Sequence, residues 1–179
     1  MIEVEKFLSL NSSNEDKIKE FKSFFPNILV SKDDIIEPDS DPITVAVYKA
    51  SKVGPYVIID DASLDVEGEN VGVNVKYLSG NLPLYIGKKA IFRVIVAYLD
   101  KDIVRVFNSE VSGRISLPRG DGYGFDNFFL PHNSKKTLGE FKDELNHPRI
   151  ISIKKLINNQ PTLECDPIFN WTGSWQNSY

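Results

Sequence analysis

The side chains in this sequence best suited to chemistry are carboxylates and lysines held in a few short segments. Ser12, Asn14 and Lys17 follow an apolar run at a strand-to-helix junction. A helix start exposes unpaired backbone N–H groups and the positive end of the helix dipole, which suits a phosphate. Lys17 adds a mobile cation on the same turn, although the pattern equally makes an ordinary helix cap. Glu37 sits in an acidic loop, and Asp60 and Asp61 close the apolar run that begins at Tyr56. Carboxylates at the C-terminal end of a buried strand face the crevice where open α/β sheets bind ligands. Two or three converging carboxylates, with phosphate oxygens and waters, form the shell that Mg2+ prefers. Such an ion neutralises phosphate charge and helps to generate an attacking hydroxide. A pair of strand-end aspartates capping a turn is the plainer alternative, and Lys49 by itself reads as a solvated helix lysine.

Two later segments have the chemistry of a base site. In Arg119-Gly120-Asp121-Gly122-Tyr123-Gly124-Phe125-Asp126 the glycines permit close backbone approach and the aromatics offer faces for stacking on a base. The same loop also serves as a simple hairpin connection. Lys142 and Asn146-His147-Pro148-Arg149 lead into the last helix. Arginine and histidine there can donate hydrogen bonds to base carbonyls or phosphates. His132, beside Pro131, reads as loop surface.

These residues need elements to place them. Residues 6–10 read as a buried strand, and apolar residues at 18, 21, 24 and 25 give a helix from Lys17 to Phe25 that Pro26 stops. Ile28 to Val30 is a second strand. Thr44 to Val53 reads as a helix capped by Ser40 or Asp41 with Pro42 near its first turn. Tyr56 to Ile59 is apolar on both faces, as a central strand covered by helices should be. This alternation predicts an α/β sheet. Residues 90–99 and 103–107 read as two antiparallel strands around a short turn, with a third at Val111 to Ile115. Arg149 to Ile157 is the final helix, and Asn158 to Tyr179 has no clear period.

Composition narrows the function. The 179 residues carry a formal net charge of −4, a poor match to a sequence-independent nucleic-acid binder, which needs basic surface to displace counterions. The single cysteine, Cys165, excludes an intramolecular disulfide and a cysteine-rich metal site. The N-terminal residues lack a signal-peptide pattern, and no apolar run approaches the length of a membrane span, so the expected setting is the cytoplasm, with no membrane partner.

The order of these segments over residues 6–157 resembles the Ham1, or inosine triphosphatase, family. That family shows Thr/Ser-x-Asn-x-x-Lys, a Glu, Lys-Ala, an acidic pair with Leu three residues after the second acid, then Gly-Phe-Gly-Tyr-Asp, a Lys and Ser-His-Arg. The chain supplies Ser12 to Lys17, Glu37, Lys49-Ala50, Asp60-Asp61-Ala62-Ser63-Leu64, Gly122 to Asp126, Lys142 and His147-Pro148-Arg149. It departs where Asp-Asp-Ser-Gly-Leu becomes Asp60-Asp61-Ala62-Ser63-Leu64, where Pro-Gly becomes Val71-Gly72, and where Pro148 separates His147 from Arg149. The stretch between Pro131 and Lys142 is also shorter.

The resemblance implies an elongated α/β fold, a mixed β-sheet flanked by helices, in two lobes with a central cleft. It makes residues 1–158 one nucleotide pyrophosphatase domain and leaves 159–179 as an extension. It implies Mg2+-dependent hydrolysis of the α–β phosphoanhydride of ITP, dITP and XTP, usually by a homodimer. By the same resemblance, Ser12, Asn14 and Lys17 hold the triphosphate with Lys49 beside it, and Ala62 lies against the substrate. Glu37 and Asp61 bind Mg2+; Asp61 takes the proton from the attacking water, with Asp60 and Lys17 in the catalytic group. Tyr123, Gly124, Phe125, Asp126, Lys142, His147 and Arg149 hold base and sugar. Two alternatives stay open: the same reaction on another modified nucleotide, and a catalytically weak relative that binds a nucleotide or a protein partner.

Overall fold

A computed structural model describes residues 8–68 and 80–176. Strand β1 (Ser9–Asn11) leads into helix α1 (Glu15–Phe24), and strand β2 (Leu29–Ser31) leads into helix α2 (Pro42–Val53). The long strands β3 (Val57–Val66), β4 (Lys89–Asp100) and β5 (Ile103–Ile115) follow, then β6 (Phe129–Pro131), helix α3 (Pro148–Ile157) and β7 (Leu163–Cys165). Together they form a mixed α/β fold, one seven-stranded sheet in the order β2-β1-β3-β4-β5-β6, with β7 paired to β5. β1 is parallel to both β2 and β3, whereas β6 and β7 run antiparallel to β5.

The expected β1-α1-β2-α2-β3 alternation is present, with its local signals in use. α1 begins two residues earlier than its apolar spacing predicts because Asn14 caps it, its side-chain oxygen accepting from the N–H groups of Asp16 and Lys17. Asp41 caps α2, accepting from Thr44 N–H at 3.0 Å and Thr44 Oγ1 at 2.6 Å, with Pro42 at the first helical position. The order β2-β1-β3 reverses direction at β1. The usual right-handed crossover rule sets α1 and α2 on opposite faces of the sheet, and such a reversal is where open α/β sheets commonly bind ligands.

Three expectations about the strands need correction. β3 does not end at Asp60-Asp61 but continues to Val66, so the aspartates lie within the strand. Residues 103–115 form one strand rather than two. The tail, read as patternless, contains β7 and an isolated bridge between Pro38 and Trp175. Residues 6 and 7 of the expected first strand, and Val71-Gly72, lie outside the described residues.

The chain divides into two compact units. The first holds Asp61 and the described residues before it, Ile95–Asn108, and the described residues from Ser152 onward; the second holds the described residues of Ala62–Val94 and Ser109–Ile151. In the first unit Ala46, Val47 and Ala50 of α2 pack on Ile59, Ile95, Ala97, Leu99, Val104 and Val106, with Cys165 and Ile168 of the tail against the same cluster. Burying such side chains stabilises the fold by roughly 1.5–3 kcal/mol each. The second unit gathers around Phe92, whose ring meets Phe125 at 5.5 Å and Phe129 at 5.6 Å. No helix among the described residues is long and apolar enough to cross a membrane.

Candidate active site

Successive residues of a strand point to opposite faces, so Asp60 and Asp61 cannot both converge on one ion from β3. Asp61 shares a face with Ile59, which packs under α2. Its Oδ1 lies 2.8 Å from Lys49 Nζ on that helix, and Glu37 Oε1 approaches the same nitrogen at 3.1 Å. Asp60 lies on the other side, toward α1, where its carboxylate is 2.9 Å from Lys17 Nζ and almost wholly buried. The converging pair is therefore Glu37 with Asp61, and Asp60 belongs to a separate ion pair.

Lys49 is not the solvated helix lysine that it resembles in isolation. Its side chain is 15% exposed. Burial disfavours its charge, but the neighbouring Asp61 and Glu37 outweigh that and hold the ammonium above the ordinary lysine value. One ammonium thus bridges two carboxylates that would otherwise repel each other.

That donor set fits a hard divalent cation. Mg2+ is typically held by one or two carboxylates, completed by substrate phosphates and water. Glu37 and Asp61 keep 34% and 20% of their side chains exposed, so both are accessible to solvent and ligand. Among the described residues no cluster of three or more His, Cys, Asp or Glu side chains could hold a metal. A ligand would have to supply the remaining oxygens.

At the start of α1 the side chains are engaged locally. Asn14 closes the helix cap, Ser12 Oγ accepts from Asn14 N–H at 3.2 Å, and Lys17 also donates to the Asp60 carbonyl at 3.4 Å. Of Ser12, Asn14 and Lys17, the lysine is the one tied directly to the acidic strand. Ala62, half-buried, follows Asp61 in β3.

The second unit holds the other group together around a buried carboxylate. Asp126, 1% exposed, receives His147 Nε2 at 3.0 Å and Lys142 Nζ at 3.2 Å. The Arg149 backbone N–H donates to His147 Nδ1 at 3.1 Å, so the ring accepts there and carries its proton on Nε2 toward Asp126. Burial opposes ionisation of Asp126, but the bond from His147 and the charge of Lys142 prevail and hold its carboxyl below the ordinary aspartate value. Arg149 is 2% exposed and donates from Nη1 to the Tyr123 hydroxyl at 2.9 Å. Two cations approach the Tyr123 ring, Lys142 Nζ at 4.9 Å and the Arg149 guanidinium carbon at 5.5 Å from its centre.

The glycine-rich loop works differently from its sequence reading. A Cβ at Gly122 would stand 2.5 Å from the Asp126 Cβ and 2.9 Å from the Gly139 Cα, so this glycine serves packing within the protein. Gly124 has open space around it and φ of +60°, a backbone that favours glycine. Of the two aromatics, Phe125 is buried against Phe92, and Tyr123 keeps a partly open ring. His147 is fully buried, edge-on to Phe92, with both nitrogens bonded. Sequence reasoning overlooked Phe92 and the tail residues around Trp175. Their only prior signal was aromatic character outside any recognisable motif.

The chain is similar to known proteins in sequence and in fold. Residues 8–157 match the model of the Ham1 family. The dITP/XTP pyrophosphatase of Korarchaeum cryptofilum is 32% identical over 154 residues, covering 74% of this chain and 83% of the relative. That of Thermococcus kodakarensis is 31% identical over 160 residues, covering 76% and 86%. Among solved structures, the Ham1 protein of Staphylococcus aureus superposes with a TM-score of 0.62 at 23% identity, covering 85% of this chain and 97% of that one. At that identity the likeness speaks for the fold, which is the mixed α/β fold expected from the sequence.

Proposed function

Since this chain belongs to the Ham1 family, we propose that it is a nucleoside triphosphate pyrophosphatase that hydrolyses ITP, dITP and XTP to the monophosphate and pyrophosphate with Mg2+. The observation that supports it most is Lys49 held between Glu37 and Asp61, a charge-compensated carboxylate pair beside a switch point. Glu37 and Asp61 would hold the ion, which would supply neutralisation of triphosphate charge and a more acidic water. Asp61 accepts the proton as water oxygen bonds to the α-phosphorus and the bond to the α–β bridging oxygen breaks, releasing pyrophosphate. Lys17, with Ser12 and Asn14, holds the triphosphate. With the carboxylates holding the ion, Lys49 would be left to donate to a phosphate oxygen. Asp60, paired with Lys17, positions that ammonium.

Tyr123 and Gly124 offer the accessible face for the base, with Ala62 also placed against the substrate. Phe125, Asp126, Lys142, His147 and Arg149 hold that face in place, Arg149 through its bond to the Tyr123 hydroxyl. The working form is a homodimer in the cytoplasm.

A panel of nucleoside triphosphates incubated with Mg2+, scored for pyrophosphate, tests this reading. ITP, dITP and XTP should release pyrophosphate with higher kcat/KM than ATP or GTP. Release confined to another modified nucleotide would overturn the base assignment. No release from any of them would favour the nucleotide-binding relative.

A further inference from the structure

The C-terminal segment lies outside the family match, which stops at residue 157, yet its residues 174–176 meet the loop that carries Glu37. From β7 onward it runs back along α2. Ile168 N–H donates to Ser51 Oγ at 2.9 Å, and Lys52 Nζ donates to the Phe169 carbonyl at 3.2 Å. It then reaches the acidic loop. Asp39 N–H donates to the Ser174 carbonyl at 2.9 Å, and Gln176 N–H donates to the Glu37 carbonyl at 2.9 Å. Gln176 Nε2 adds a bond to the Pro38 carbonyl at 3.0 Å. Between these bonds the Trp175 ring meets Tyr48 edge-on at 5.7 Å, one residue before Lys49.

We infer that Trp175 is a positioning residue: it pins residues 174–176 across Pro38 and so fixes Glu37 relative to Lys49 and Asp61. The physical need is clear. Residues 32–37 have no regular secondary structure, and a carboxylate on an unfixed loop binds a cation more weakly because part of its population is misplaced. Three main-chain and side-chain hydrogen bonds to Glu37, Pro38 and Asp39 supply what helix or strand would otherwise supply. The aromatic contact anchors those bonds to α2, the same helix that presents Lys49. This role rests on the assignment of Glu37 as a ligand.

The full-length chain tests it through Trp175→Ala, Trp175→Phe and Glu37→Gln, using Mn2+ as the probe and electron paramagnetic resonance of free Mn2+ to measure binding. Trp175→Ala should weaken Mn2+ binding about fivefold, by lowering the population of the competent loop. It should also speed hydrogen exchange at the Asp39 amide by about tenfold or more. The KM for Mg2+ in turnover should rise with binding, while kcat at excess Mg2+ falls by less than about twofold. Trp175→Phe should restore all three. A residue that serves stability alone would lower the melting temperature without this split. Unchanged Asp39 exchange in Trp175→Ala, or faster exchange with wild-type Mn2+ affinity, would overturn the inference. Wild-type affinity in Glu37→Gln would instead overturn the ligand assignment beneath it.

Discussion

Asp61→Asn should lower kcat by a factor on the order of 100 or more at saturating Mg2+, because in the proposed reaction it removes a proton acceptor and a metal ligand together. The fold should survive. Lys49 keeps Glu37 at 3.1 Å as a counterion, so no buried charge is abandoned. Circular dichroism and urea unfolding would confirm an intact protein, and steady-state kinetics would give the loss. Near-normal turnover would remove Asp61 from the centre of the reaction. Asp60→Asn provides the contrast. Its carboxylate is buried on Lys17, so its loss should be felt through a misplaced ammonium and hence in KM for the triphosphate as well as in kcat.

The second large effect is on stability. Asp126→Ala should destabilise the protein by about 2–4 kcal/mol, since it leaves a buried imidazole N–H without an acceptor. His147 is fully buried and cannot turn to water, unlike Lys142, whose side chain is 30% exposed. Asp126→Asn keeps one acceptor oxygen and should recover much of the loss. Acid should act on the wild type in the same direction. Because Asp126 has a lowered folded pKa, its ionised form stabilises the protein above the ordinary aspartate value of 3.8. That contribution disappears as pH falls from there through the folded value. Urea midpoints measured across this range should therefore fall more steeply for wild type than for Asp126→Asn. Parallel curves would show that Asp126 is not ionised as described.

Much of the fold follows from local rules. Asn14, Asp41 and Pro42 mark helix starts that the structure uses, and the Tyr56–Ile59 run belongs to a central strand, because capping and burial are decided by neighbours in sequence. The continuation of β3 through Asp60 and Asp61 is not legible in the same way. Aspartate is a poor strand residue, and the pair is answered by Lys17 and Lys49, on helices distant in sequence. β5 misleads for a similar reason. Its polar stretch Asn108-Ser109-Glu110 interrupts the apolar pattern, while Arg93 answers Glu110 across the sheet at 2.7 Å.

The site divides along the same line. Residue types at Glu37 and Asp61 point toward a cation site, but Lys49 alone reads as a solvated helix lysine, and nothing local says that its ammonium joins both carboxylates. In the glycine-rich loop, types alone treat Tyr123 and Phe125 as equivalent stacking faces. Packing against Phe92 buries the second and leaves the first half-buried beside Lys142 and Arg149. The tail has no periodicity to read because its bonds go to the side chains of α2 and the backbone of an irregular loop.

Water attack on the α-phosphorus is the central claim, and hydrolysis of XTP in 18O-enriched water tests it most directly. Mass spectrometry of the products should find the heavy oxygen in xanthosine monophosphate and none in pyrophosphate. Label in pyrophosphate, or xanthosine diphosphate and orthophosphate as the first products, would contradict it.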